Sequence, residues 1–267
     1  MNDPQVRESE GPVGPAARDA WSRVAGKYVE HCRREVNWNK MIEIPAMRRM
    51  LGDVAGKRTL EVGCRCAHYS IWLAQQGAEA AGFDPAEGLV DQAREDAAAA
   101  GVTVDLRVGG LELLSEYPVK HSDVVLFAMM LEYIDDLDGA FSGAARVLRP
   151  DGFVAISITH PMRHFSETIE TADGRRLRAI RSYLRRYVLE WTGWIMGNAE
   201  GEDVWCKSHC RPLEDYVSAL TRAGFLIEAL QEPMAIDECR TLAPRIYQSN
   251  MDCPQFLLIG AVKDPRR

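Results

Sequence analysis

The chain has 267 residues, 46% of them hydrophobic and 27% charged, a length and balance suited to one soluble globular domain with a large core. Its formal net charge of −7 excludes a general nucleic-acid binder, which needs a surplus of Lys and Arg to displace counterions. No apolar run approaches the roughly 20 residues that cross a bilayer, and seven scattered cysteines in a chain this long point to a reducing cytoplasm.

Residues 1–15 mix Pro, Gly and charge without a leader pattern and are expected as a flexible tail. Apolar residues at helical spacing over 16–33 and 40–52 predict two helices before the sheet. TLEV (59–62) predicts a short strand, 67–77 a helix, and AEAAGFD (78–84) a second strand ending in an acid. An Ala-rich helix over 86–100 closes at Gly101, and VTVDLRV (102–108) is a third strand. SDVVLFAMM (122–130) reads as a strand buried on both faces. A helix over 138–148 stops at Arg149-Pro150-Asp151-Gly152, and GFVAISIT (152–159) is a fifth strand. Strands alternating with helices predict parallel pairing with right-handed crossovers, a doubly wound α/β fold forming one domain over 16–267. From 160 to 208 the rhythm breaks into a stretch rich in Arg and aromatics, read as a lid or substrate insertion. A helix over 212–224 and strands over 225–230 and 255–262 complete the chain.

In open parallel sheets, ligands sit beyond the carboxyl ends of the strands, where strand order reverses. That rule brings together 63–70, Asp84, 109–111, 128–133 and 160–165. Asp84 suits either a ribose diol or the start of the helix after it. His160, directly after the fifth strand, has the chemistry of a general base, and Glu132 and Tyr133 can orient a substrate. Cys206, His209 and Cys210 (WCKSHC) are metal-ligand types, but no second pair with zinc-site spacing follows, so no metal is expected.

The run GKRTLEVGCRCAHYSIWLAQQGAEAAGFDPAEGLVDQAR, followed by LEYIDDLDGAFSGAARVLRPDGFVAISITHP, resembles class I methyltransferases dependent on S-adenosylmethionine. HCRPLEDYVSALTRAGFLIEAL is similar to the late helix and strand of small-molecule members with a lid after the fifth strand. The resemblance implies a seven-stranded Rossmann-like sheet in the order 3-2-1-4-5-7-6, its last strand antiparallel. It implies S-adenosylmethionine contacts at Glu61, Gly63, Cys64 and Arg65, at Asp84 through the ribose, at Gly110 and Leu111, and at Met129 below the methionyl end. The implied activity is methyl transfer to an O, N or C nucleophile of a small molecule in specialised metabolism.

Arg65 and Ala67 replace the second and third glycines of the family's loop, and Gly110 stands where many relatives have an adenine-contacting Asp. Arg65 adds a long cation where the methionyl and ribose parts of a cationic cofactor would lie. At a helix N-terminus it equally suits carboxylate, sulfate or phosphate. Three uses of the fold therefore stay open. The cleft can serve methyl transfer. It can instead promote an intramolecular displacement that closes a ring, such as an aziridine, as sulfate or phosphate leaves. Or the chain is a non-catalytic partner subunit. Candidate anion or substrate contacts are Arg65, His68, Tyr69, Arg163, Trp191 and Trp194. A homodimer or a complex with another protein is compatible with each use; nucleic acid and membrane are not expected partners.

Overall fold

Seven strands carry the fold: β1 (Arg58–Val62), β2 (Glu79–Asp84), β3 (Val104–Val108), β4 (Ser122–Ala128), β5 (Leu148–Thr159), β6 (Phe225–Gln231) and β7 (Phe256–Lys263). The computed structural model describes residues 5–192 and 203–266. The sheet order is 3-2-1-4-5-7-6, with β1 to β5 parallel and β7 antiparallel to both neighbours, as the family resemblance implied. Central β4 explains its own sequence, because both of its faces are covered. Val125 and Phe127 pack with the helices Leu137–Val147 and Leu213–Arg222. Val124, Leu126 and Ala128 face Ile44–Leu51, His68–Gln75 and Pro244–Asp252 on the other side. The strand period of two sends alternate residues of one apolar run into two cores.

Three departures from the sequence reading have local causes. The helix expected over 40–52 opens with a π-helical turn, Asn39–Glu43, before Ile44–Leu51. Pro45 has no N–H for the Met41 carbonyl, which instead accepts from the Ile236 amide at 2.9 Å. Strand β5 begins at Leu148 rather than 152, because the Pro150 segment forms an irregularity in its pairing with β4, between the Ser122 and Val124 positions, rather than a break. The third correction concerns the tail. Residues Gln5–Ser9, expected to be loose, form a strand paired antiparallel to Tyr187–Thr192, which pairs in turn with Cys206–Cys210. An otherwise open strand edge of the lid is thereby covered.

The helix Gly14–Arg33 follows this strand and lies under the lid. Its Ala17, Ala20, Val24 and Tyr28 share a core with Cys66 of the β1 loop, Ala86 after β2, and lid residues Val204 and Cys206. The N-terminal helix and this three-stranded sheet thus pack over the loops that follow β1 and β2.

Candidate active site

The loop after β1 turns through three left-handed residues: Gly63 at φ 70°, Arg65 at 54° and Ala67 at 54°. Gly63 is required sterically as well, since a Cβ there would lie 2.9 Å from the Met130 Cε. The Gly63 and Cys64 amides both donate to the Phe83 carbonyl at 2.9 Å, binding the loop to the end of β2. Arg65 and Ala67 hold the backbone that glycine adopts without strain.

Glu61, buried in β1, accepts from the Ser70 amide at 2.9 Å and the Ser70 hydroxyl at 2.6 Å, so it steadies the first turn of the helix His68–Gln75. Burial pushes its carboxyl up to about 7, against the opposing hydrogen bonds from Ser70 and the charge of Arg65. Asp84, at the end of β2, accepts from the Arg65 amide through Oδ2 and from the Ala86 amide through Oδ1, both at 2.9 Å. One carboxylate therefore orders the loop and starts the next helix, and burial raises its pKa. Carboxylate oxygens carry further lone pairs for a diol.

The Arg65 side chain turns inward. Its Nη2 donates to the Ala128 carbonyl at 3.0 Å, and the guanidinium lies 5.6 Å from the centre of the Tyr28 ring. Burial works against its charge, but Tyr28, Cys32, Cys66 and Glu61 together push its pKa up, so it stays a cation. Around it Trp21 stands edge-on to Tyr28, Tyr133 and Trp191, with ring centres 5.1, 5.8 and 6.4 Å apart. The guanidinium lies against the end of β4 beside Met129, itself at φ 52°.

Gly110 has no side chain, but the place of one is filled. A Cβ there would sit 2.7 Å from the Glu112 Oε2, and Glu112 accepts from the Gly110 amide at 2.6 Å. The Glu112 carboxylate thus occupies the space a side chain at 110 would take. Leu111, half-buried, packs on the core beneath it.

The candidate bases are all constrained. His160 is engaged at both ring nitrogens: Nδ1 accepts from the Met162 amide at 3.1 Å, and Nε2 lies 2.9 Å from the Glu232 Oε1. It caps the short helix Pro161–His164, and burial lowers its pKa despite Glu232. Glu132 is 3% exposed; Oε1 accepts from the Thr159 amide at 2.6 Å, while Oε2 has no partner and burial raises its pKa. Tyr133 belongs to the aromatic group under the lid, where burial holds its phenol well above the usual range.

The other candidates separate. His68 lies 3.4 Å from Arg48 Nη2 and is pushed down to about 4, by burial first and by Arg48 and Arg65 next. Tyr69 is buried and donates to Glu43 at 2.7 Å. Arg163 bonds the Gln255 side chain and lies 5.5 Å from the Trp38 ring centre, whereas Arg65 contacts Ala128 and Tyr28. Trp191 is under the lid; Trp194 lies outside the described residues. On strand Cys206–Cys210 both terminal cysteines are buried on one face, while His209 points the other way to Asp135 at 2.9 Å. Among the described residues no group of three or more His, Cys, Asp or Glu is placed to hold a metal. No described helix is long and apolar enough to cross a membrane.

Two acids escaped the sequence reading. Glu112 had only its distance from Gly110 to mark it. Glu43, 1% exposed, accepts from the Tyr69 hydroxyl at 2.7 Å, the Ser157 hydroxyl at 2.6 Å and the Asn39 amide group at 3.2 Å. An acid inside the apolar run MIEIPAM was its available signal.

Residues 60–156 match the family model of a methyltransferase domain. The crystal structure of an S-adenosylmethionine-dependent methyltransferase from Mesorhizobium loti superposes with a TM-score of 0.69 at 27% identity, covering 85% of this chain and 98% of that one. A ubiquinone biosynthesis O-methyltransferase from Azorhizobium caulinodans is 31% identical over 144 residues. That alignment takes in 54% of this chain and 51% of the relative, so the chain spans about half of the relative's length. The [4+2]-cyclase SpnF shares the fold, with a TM-score of 0.59 at 15% identity over 96% of this chain and 98% of its own. Residues 60–156 therefore carry a methyltransferase domain, and the strand order and overall fold are those of S-adenosylmethionine-dependent methyltransferases of class I.

Proposed function

We propose that this chain binds S-adenosylmethionine at the carboxyl ends of β1, β2 and β4 and methylates an O, N or C nucleophile of a small molecule in specialised metabolism. The observation that carries the reading is the loop backbone, left-handed at Gly63, Arg65 and Ala67 although two of the three are not glycine. Asp84 would receive the ribose hydroxyls, and Glu112 would take the adenine-side role for which Gly110 has no group. The adenosine half of the cofactor fits these residues; the methionyl half fits once Arg65 releases Ala128. When bound, the cofactor supplies an electrophilic methyl group on a cationic sulfur.

The chain's own part is positioning. Trp21, Tyr28, Tyr133 and Trp191 exclude water, and aromatic faces favour a cation. Glu132, with its unpartnered Oε2 and raised pKa, suits proton acceptance from a substrate better than His160, whose ring nitrogens are both engaged. The lid over 160–208 forms the substrate side. Seven unpaired cysteines accord with a reducing cytoplasm, and a homodimer or a partner chain accords with the reading.

Calorimetry with S-adenosylmethionine and its demethylated product tests it. The expected result is weak binding by the wild type and at least tenfold tighter binding by Arg65→Gly. No heat from either protein at millimolar ligand overturns the proposal.

The inward Arg65 favours a second reading, an intramolecular displacement that needs no S-adenosylmethionine. Among the described residues the Arg65 guanidinium has no carboxylate partner, and such a cation suits a departing sulfate or phosphate. Sulfate binding that disappears in Arg65→Ala, together with no S-adenosylmethionine binding by either Arg65 variant, selects this reading.

A further inference from the structure

Cys66 sits between Arg65 and Ala67 in the β1 loop, and Cys32 lies one turn after Tyr28 on the N-terminal helix. The two side chains pack in one cluster, each within the other's electrostatic reach. Both open on a cleft of about 170 Å³ between the helix and the loop, whose walls include Val29, Arg33, His68 and Ile71. Cys66 is 7% exposed, whereas Cys32 is partly exposed. We propose that Cys32 and Cys66 form a peroxide-reactive dithiol, with Cys32 as the attacking thiol and Cys66 as the resolving one.

The surroundings divide the roles. Cys66 and the Tyr28 hydroxyl stand beside Cys32 as proton donors, with Arg65 and Lys40 nearby as positive charges. The neighbouring Cys66, opposed by burial and aided by those charges and Tyr28, brings the Cys32 thiol down to about 7. Cys66 goes the other way: beside Cys32 and more deeply buried, it keeps its proton. Burial alone pushes the Cys206 thiol up to about 12, and chiefly burial does the same to Cys210, so the two thiols of the lid strand do not compete.

The chemistry balances with hydrogen peroxide as oxidant. The Cys32 thiolate attacks one peroxide oxygen, the O–O bond breaks, and the departing hydroxide takes a proton to leave as water. Cys32 is then a sulfenic acid. The Cys66 sulfur attacks the Cys32 sulfur, the S–O bond breaks, and the Cys66 proton leaves with the hydroxyl as a second water. One disulfide forms, two thiols are oxidised and one peroxide is reduced. The bond ties the N-terminal helix to the β1 loop. This chemistry stands whether or not S-adenosylmethionine binds.

The test uses the reduced full-length chain, treated with one equivalent of hydrogen peroxide, alkylated and digested without reductant. The expected product is a Cys32–Cys66 cross-linked peptide, with two of the seven thiols lost. Cys66→Ser is expected to stop at a Cys32 sulfenic acid that dimedone traps, and Cys32→Ser to leave Cys66 unreacted. Oxidation of another cysteine first, or cross-links only between chains, overturns the proposal. If the variants do not fold, the wild type decides through competitive alkylation with iodoacetamide at pH 7. Cys32 should react about tenfold faster than the buried thiols; an equal rate overturns the assignment.

Discussion

The Arg65 guanidinium donates to the Ala128 carbonyl across 3.0 Å, joining the loop after β1 to the end of β4. That bond and the left-handed backbone of Arg65 act in opposite directions on stability. Arg65→Ala loses the bond and keeps the φ of 54°; Arg65→Gly loses the bond and relieves the backbone. The glycine variant is therefore expected to be about 1 kcal/mol more stable than the alanine variant. Urea unfolding of the pair measures this, and equal midpoints would show that the loop carries no backbone strain at Arg65.

Glu112 is expected to contribute to nucleoside recognition from the space above Gly110. In an Arg65→Gly background, Glu112→Ala should weaken S-adenosylmethionine about five- to tenfold, the loss of one hydrogen bond. Calorimetric titration decides it; an unchanged affinity removes Glu112 from the site.

Asp135 accepts from the Val13 and Gly14 amides at 2.9 and 3.0 Å, capping a helix that starts 121 residues earlier. Its own helix entry, Asp136, caps Leu137–Val147 through the Gly139 amide at 2.9 Å. Asp135→Ala should cost about 1–2 kcal/mol and loosen the N-terminal helix first. Hydrogen exchange at the start of helix Gly14–Arg33 reads the effect locally; protection unchanged there would contradict the assignment.

Glu61 makes stability depend on pH on the neutral side. Its folded pKa is raised to about 7 from an ordinary 4.5, so the folded state binds the proton more tightly. Stability from this group is full below pH 4.5 and is lost as pH rises through 7. The total loss is of the order of 3 kcal/mol. Glu61→Gln, which keeps an acceptor for Ser70, should therefore be more stabilising at pH 8 than at pH 5. Denaturant unfolding at the two pH values provides the comparison, and a difference of the opposite sign refutes it.

Histidines act on the acid side. Burial is the leading cause that pushes His31, His68 and His164 down to about 4 from 6.5. The unfolded chain binds these protons first, so stability is full above pH 6.5 and falls as pH drops towards 4. Because Glu61 titrates in the opposite sense over the same window, the histidine share is read by difference: replacing the three rings with Asn should lower the slope of unfolding free energy between pH 6 and 4.5 by more than one proton. An unchanged slope would mean that these rings are solvated.

Much of this was legible in the chain because it depends on neighbours in sequence. The apolar run of β4, the acid ending β2, the turn at Gly63 and the helix stop before β5 are set by local period, backbone freedom and proline chemistry. Together with the family resemblance they define the sheet order and its carboxyl edge. The direction of the Arg65 side chain, the Glu112 carboxylate over Gly110, the capping of Gly14 by Asp135 and the pairing of Gln5–Ser9 with the lid were decided only in three dimensions. Glu112 turns back over a local bend, while the others join segments between 63 and more than 120 residues apart. Hydrogen bonding and burial reward such contacts only after the sheet has brought the segments together, so no local pattern encodes them. The sequence by itself determined the scaffold and the residue types at its ligand edge; the tertiary structure decided that the cationic Arg65 turns into that edge, held by Ala128 and Tyr28.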